Sequence, residues 1–159
     1  MSTVCRHVAL PMSEVTSSLE AAYRSSLFEV TGTSPPFTLH VEEHCAPLAA
    51  LHRLHGVATS AYLTAVNPRS VVQPDAENSR REAELEQWLR AEGHVWFAGH
   101  SVDPRGVWPN EPCVLILGIR HEDAWRIGKH FDQNAIVWCP PTAVPELVML
   151  VCAADLVAG

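Results

Sequence analysis

The run Cys113-Val-Leu-Ile-Leu-Gly118 limits the fold more than any other part of the chain. It is too short for a helix of ordinary length, and it has no polar residue to turn toward water. Such a run reads as a central strand in a sheet that is covered on both faces. The flanking segments supply the rest of that sheet. Phe37–Val41, Thr59–Val66, His94–Ser101, Asn134–Cys139 and Glu146–Cys152 carry the β-branched and aromatic content of strands. Asn67-Pro68 closes the second of these, and Asp103-Pro104-Arg105-Gly106 is a turn signature after the third.

Helices fall between the strands. Val15, Leu19, Ala22, Tyr23 and Leu27 recur at helical spacing, with Ser13 as N-cap, up to the Gly32–Pro36 break. Pro47–Leu54 and His121–Phe131 are two shorter helices, the latter turning Ala124, Ile127, Gly128 and Phe131 inward. Glu77–Glu92, stopped by Gly93, is the longest, and its Leu85 and Leu89 share one stripe. The order α-β-α-β-α-β-β-α-β-β predicts an α+β (α/β-like) fold, a single mixed β-sheet with helices packed on it. With 159 residues, one domain over 1–159 is expected. It comprises an N-terminal helical segment (1–36), a core (59–138) and a tail (153–159).

Charge narrows the partners. The net charge of −7 disfavours nucleic acid and anionic lipid. No apolar stretch approaches the roughly 20 residues of a membrane span. Met1–Met12, with Arg6, His7 and Pro11, lacks the apolar centre of a secretory signal. The five Cys (5, 45, 113, 139, 152) form no Cys-x-x-Cys, and several sit in apolar runs. Reduced, mostly buried thiols in a cytoplasmic protein are expected, without a disulfide. His40, His44, Cys45, His52 and His55 stand close in sequence but lack a metal-binding spacing, so no metal is expected. Nor is there a phosphate-binding Gly loop, a nucleophile elbow or a dinucleotide fingerprint, and no cofactor is expected.

Polar residues nevertheless gather at one end of the predicted sheet. Let strand 59–66 finish at the top. The long helix then runs down, strand 94–101 rises, strand 113–118 descends, and helix 121–131 climbs back. Thr64, Asn67, Asn78, Arg81, Glu111 and Gln133 all come to the top. The connection from Val102 to Pro112 lies there too, with Trp108 placed to stack on a flat ligand. The loop Arg69–Ala76 is polar and reads as mobile.

These same residues carry a resemblance. Thr64-Ala65-Val66-Asn67-Pro68, Glu77-Asn78 with Arg81 and Leu85, Asp103-Pro104 with Gly106, Glu111-Pro112, and Phe131-Asp132-Gln133-Asn134-Ala135 stand in the order of a bacterial domain-of-unknown-function family, DUF3293. The chain resembles that family over about residues 59–138. It departs where the family pattern carries an aromatic in place of Val66 and a Ser in place of Cys113. The resemblance implies a shared site and names no reaction.

Two readings follow. In the first, the top edge binds a small anionic or nucleotide-like ligand. Arg81 and the helix N-terminus hold the anion, Thr64, Asn67, Asn78, Trp108 and Gln133 orient the ligand, and Glu111 is the acid/base of any chemistry. In the second, the chain is a non-catalytic interaction module of accessory or immunity type, and an Arg81–Glu111 pair braces its loops. An open cavity at Glu111 would favour the first, and a closed Arg81–Glu111 bridge the second.

Overall fold

In the computed structural model, β5 (Glu111–Leu117) is the middle strand of one sheet with order β2-β1-β4-β5-β3-β6-β7. The structure describes residues 12–152 and Asp155. Cys5, the rest of the N-terminal stretch and most of the tail from residue 153 lie outside the described residues, as does the side chain of Val15. In chain order the elements are α1 (Met12–Ser25), β1 (Leu27–Val30), β2 (Phe37–Leu39), α2 (Ala46–Leu54), β3 (Ser60–Leu63), α3 (Asp75–Ala91), β4 (Val95–Val102), β5, α4 (His121–His130), β6 (Ala135–Cys139) and β7 (Glu146–Met149). Helices packed on one sheet make this an α+β fold, as the sequence predicts. Among the described residues, no helix is long and apolar enough to cross a membrane.

Period-two alternation along the inner strands splits the core in two. Ala61, Leu63, Ile116, Ile136 and Trp138 face Leu85 and Leu89 of α3 and Ala124 and Ile127 of α4. Tyr62, Cys113, Leu115, Leu117, Val137 and Cys139 face the other way, toward Phe28, Leu39 and Leu48. β5 is therefore apolar on both sides because both of its faces are covered.

The sheet is antiparallel throughout, not mixed. The strand directions are those the sequence bookkeeping gives, with β3 and β4 pointing the same way. They would pair parallel if they were neighbours. β5 separates them, since it folds back on β4 and also pairs with β3. β6 takes the other side of β3, so every neighbouring pair runs in opposite directions.

Two local expectations also change. The first helix stops at Ser25, before Leu27. The hydroxyls of Ser25 and Ser26 both donate to the carbonyl of Ala22, at 3.1 and 2.9 Å, and occupy an acceptor that a continuing helix would use. Leu27 then opens β1, which pairs with both β2 and β4. Likewise, Glu111 and Pro112 belong to β5 and not to the preceding connection, with Glu111 opposite Ser101.

Candidate functional site

The site lies at the sheet end where β3 and β4 finish and β5 and β6 begin. Asn67 is its hub. Its backbone is left-handed (φ 49°, ψ 62°), a conformation that Asn tolerates better than most side chains. Its N–H donates to Asn78 Oδ1 at 3.1 Å, and its own Oδ1 accepts from Gln73 N at 3.0 Å and from Asn78 Nδ2 at 2.8 Å. Its Nδ2 donates to Glu111 Oε1 at 3.1 Å. One carboxamide thus ties the end of β3, the start of α3 and the first residue of β5.

Arg81 and Gln133 complete the brace from the other side. Arg81 Nε donates to the carbonyl of Ala65 at 2.6 Å, and its Nη2 donates to the carbonyl of Phe131. The guanidinium also lies over the Phe131 ring, 5.6 Å from its centroid. Gln133 Nε2 donates to the carbonyls of Val66 and Phe131, at 3.0 and 3.2 Å. Thr64 Oγ1 donates to the Pro112 carbonyl at 2.7 Å and accepts from Val66 N. Apart from Pro112, which is in β5, these are carbonyls of irregular segments around the crossover, and side chains satisfy them. Arg81 makes no bridge to Glu111.

Beside the brace is a cavity of about 90 Å³. Thr64, Asn67, Trp108, Glu111 and Gln133 line it, whereas Asn78 and Arg81 do not. The remaining wall is largely apolar, with Leu19 and Ala22 from α1, Phe28, Leu63, Ile136, Val137 and Leu147. No basic side chain lines it among the described residues. Trp108 is 45% exposed, and it sits in a loop organised by Asp103. That carboxylate accepts N–H bonds from Arg105, Val107 and Trp108 at 3.0, 3.1 and 3.2 Å, which holds Asp103 below the usual carboxylate range.

Glu111 has the opposite environment. Burial in the cavity wall pushes its carboxyl above the ordinary value, and the bond from Asn67 offsets only part of that rise. Its Oε1 accepts from Asn67, and the side chain lines the cavity. Cys113 also lines the cavity, but burial pushes its thiol up to about 12, which makes it a poor nucleophile.

Sequence reasoning missed three polar members. Tyr23, from α1, lines the cavity and is hydrogen-bonded to Ser70 Oγ at 3.2 Å. Ser70 Oγ in turn accepts from Asn134 Nδ2 at 2.9 Å. Asn134 is 3% exposed, and its Oδ1 is buried without a partner. Tyr23 reads as a core position on a helical stripe, and nothing in the pattern marks its hydroxyl. Ser70 falls in the stretch expected to be mobile. The first part of that stretch is instead tied down, with Arg69 N bonded to the Asp132 carbonyl at 2.8 Å. Asn134 does stand beside Gln133 in the polar group that precedes β6, which is the one signal available.

Of the histidines that stand close in sequence, His52 is buried. His52 is 4% exposed and paired with Ser60 at 2.8 Å, and burial lowers its pKa, which keeps the ring neutral. Cys45, 113, 139 and 152 are free thiols. Among the described residues, no three His, Cys, Asp or Glu side chains converge as metal ligands would.

Residues 63–136 match the model of a family described as "Protein of unknown function (DUF3293)". No curated protein matches the chain. No solved structure matches it either. The matched segment contains the whole brace and the cavity residues from Leu63 to Ile136; Leu19, Ala22, Tyr23 and Phe28 lie outside it.

Proposed function

We propose that the cavity beside Glu111 binds a small molecule, and that Glu111 is its principal polar contact. The observation that carries this reading is the Glu111 carboxylate. One oxygen accepts from Asn67, the side chain lines a mostly apolar hollow, and burial raises its pKa. Such a pocket with few placed polar groups is the usual form of a ligand site. The ligand is neutral or cationic rather than anionic. Arg81 is spent on two backbone carbonyls, and the polar lining is acidic or uncharged.

Glu111 is also the group able to give and take a proton, because a carboxyl raised by burial is better matched to neutral pH. Trp108 at the mouth would cover the outer part of the ligand. The alternative, a non-catalytic module with a structural polar cluster, draws support from Asn78, Arg81 and Gln133, whose bonds all serve the brace. It leaves the place of the Glu111 carboxyl in the cavity lining unexplained.

Thermal-shift screening tests the reading. A panel of neutral, cationic and anionic metabolites should give hits confined to the first two groups. Ala22→Phe, which fills the cavity from α1, should abolish those shifts. Hits that survive Ala22→Phe, or hits confined to anions, would place binding elsewhere.

A further inference from the structure

The cavity has a second directed polar group, and the wiring behind it narrows the ligand class. This step rests on the reading of the cavity as a ligand site. Asn134 Nδ2 gives an N–H to Ser70 Oγ. Ser70 has one hydroxyl proton, and its other side-chain partner among the described residues is the Tyr23 oxygen at 3.2 Å. When the Asn134 amide donates to Ser70, as its Nδ2 does here, the Ser70 proton is left for Tyr23. Tyr23 then accepts from behind and keeps its own proton for the cavity it lines. Bonds in such a chain polarise one another, so the phenol is a better donor than an isolated one.

Lining the same hollow, the Glu111 carboxylate offers an acceptor. A donor and an acceptor in a largely apolar wall, which also carries Ser26, Ser101 and Asp103, fit a ligand edge with an acceptor beside a donor. A carboxylate would meet Tyr23 well but would be repelled by Glu111. An ammonium would meet Glu111 well but would leave the Tyr23 proton unpaired. A carboxamide or lactam satisfies both. The volume agrees with recognition of an edge. About 90 Å³ is less than the roughly 150 Å³ cavity that accommodates benzene, so the polar edge enters and the remainder projects toward Trp108.

We propose that Tyr23 and Glu111 together bind a neutral primary carboxamide or lactam, with Tyr23 donating to its carbonyl oxygen and Glu111 accepting its N–H. Specificity for this ligand then depends on α1, which lies outside the family-matched segment.

Three ring-matched probes, benzamide, benzoate and benzylamine, test the proposal by calorimetric titration of the full chain at pH 7.5. Benzamide should bind tightest. Tyr23→Phe should weaken it about fivefold, the loss of one neutral hydrogen bond, and Glu111→Gln about tenfold, the loss of a charged acceptor. Should Tyr23→Phe fail to fold by circular dichroism, Ser70→Ala removes the proton that orients the phenol, and weaker benzamide binding is again expected. Preference for benzylamine, with no effect of Tyr23→Phe, overturns this proposal and leaves the Glu111 site standing. Binding of none of the three, together with a metabolite hit from another class that Ala22→Phe abolishes, does the same. Binding of none, with no such hit, overturns both.

Discussion

Glu111 should cost the protein stability at neutral pH. Its carboxyl is raised by burial, so the folded chain keeps that proton to higher pH than the unfolded chain does. Wherever the folded state binds more protons, stability falls as pH rises. The loss begins near the ordinary value of 4.5 and is complete above the folded value. Glu111→Gln removes the charge and keeps an oxygen that can accept from Asn67 Nδ2. It should melt a few degrees higher than the native protein at pH 7, with the difference fading below about pH 4. A variant that melts lower at pH 7 would show that the carboxylate is stabilised by something other than Asn67. Arg81 is the opposite case. Arg81→Ala strips the carbonyl of Ala65 of its partner and leaves that of Phe131 to Gln133 alone. Urea unfolding should report a loss of about 2–4 kcal/mol. A loss under about 0.5 kcal/mol would mean that the guanidinium is not committed to the brace.

At the scale of elements, the crossover from β3 to α3 depends on one residue. Asn67 supplies both a left-handed backbone and three side-chain hydrogen bonds. Asn67→Gly and Asn67→Ala both lose the bonds, but only Ala adds the left-handed penalty of about 1–2 kcal/mol. Chemical denaturation should therefore rank native, Gly and Ala in falling order. Equal stability of the two variants would mean that the loop changes its backbone when the side chain is removed. Much of this level was legible in the sequence. Leu85 and Leu89 share a helical stripe and are 3% and 0% exposed, because a helix on a sheet has one way to bury such a stripe. Strand directions were legible too, since each connection fixes whether the next element rises or falls. Pairing was not, because sequence order does not say that β5 lies between β4 and β3. Side-chain roles were legible only by position. Asn67 and Arg81 both come to the top edge, yet whether a polar group meets a carbonyl or a cavity depends on distances of an ångström or two. Tyr23 shows the same limit, as its spacing indicates burial and its hydroxyl leaves no pattern.

Across the whole molecule, a side-chain tie spans the sheet from β3 to β1, in addition to the β1–β4 ladder. Tyr62 of β3 reaches past β5 and β4 and donates its hydroxyl proton to the carbonyl of Glu29 on β1, at 2.7 Å. It can do so because position 99 on β4 is glycine. A Cβ there would stand 2.1 Å from the Glu29 oxygen and 2.7 Å from the Tyr62 hydroxyl. The first of these is backbone and cannot swing aside. Gly99→Ala must therefore push β1 off β4, which should cost about 3 kcal/mol or more, the upper end of overpacking effects. Tyr62→Phe, which loses only the hydrogen bond, should cost about 1 kcal/mol. It should not rescue Gly99→Ala, because the clash with the Glu29 oxygen remains. The damage should also be uneven. β1 and β2 hang on the sheet through β4 alone, while β5, β3 and β6 keep their own pairings. Hydrogen exchange on Gly99→Ala should show amides of β1 and β2 losing protection well before those of β5. Uniform loss across all seven strands would mean that the sheet opens only as one unit. Phe28 of β1 and Tyr62 of β3 both line the cavity and meet edge-on, 5.6 Å between ring centroids. A displaced β1 should therefore open the cavity wall, and Gly99→Ala should lose ligand-induced thermal shifts even at temperatures where β5 and α3 remain folded.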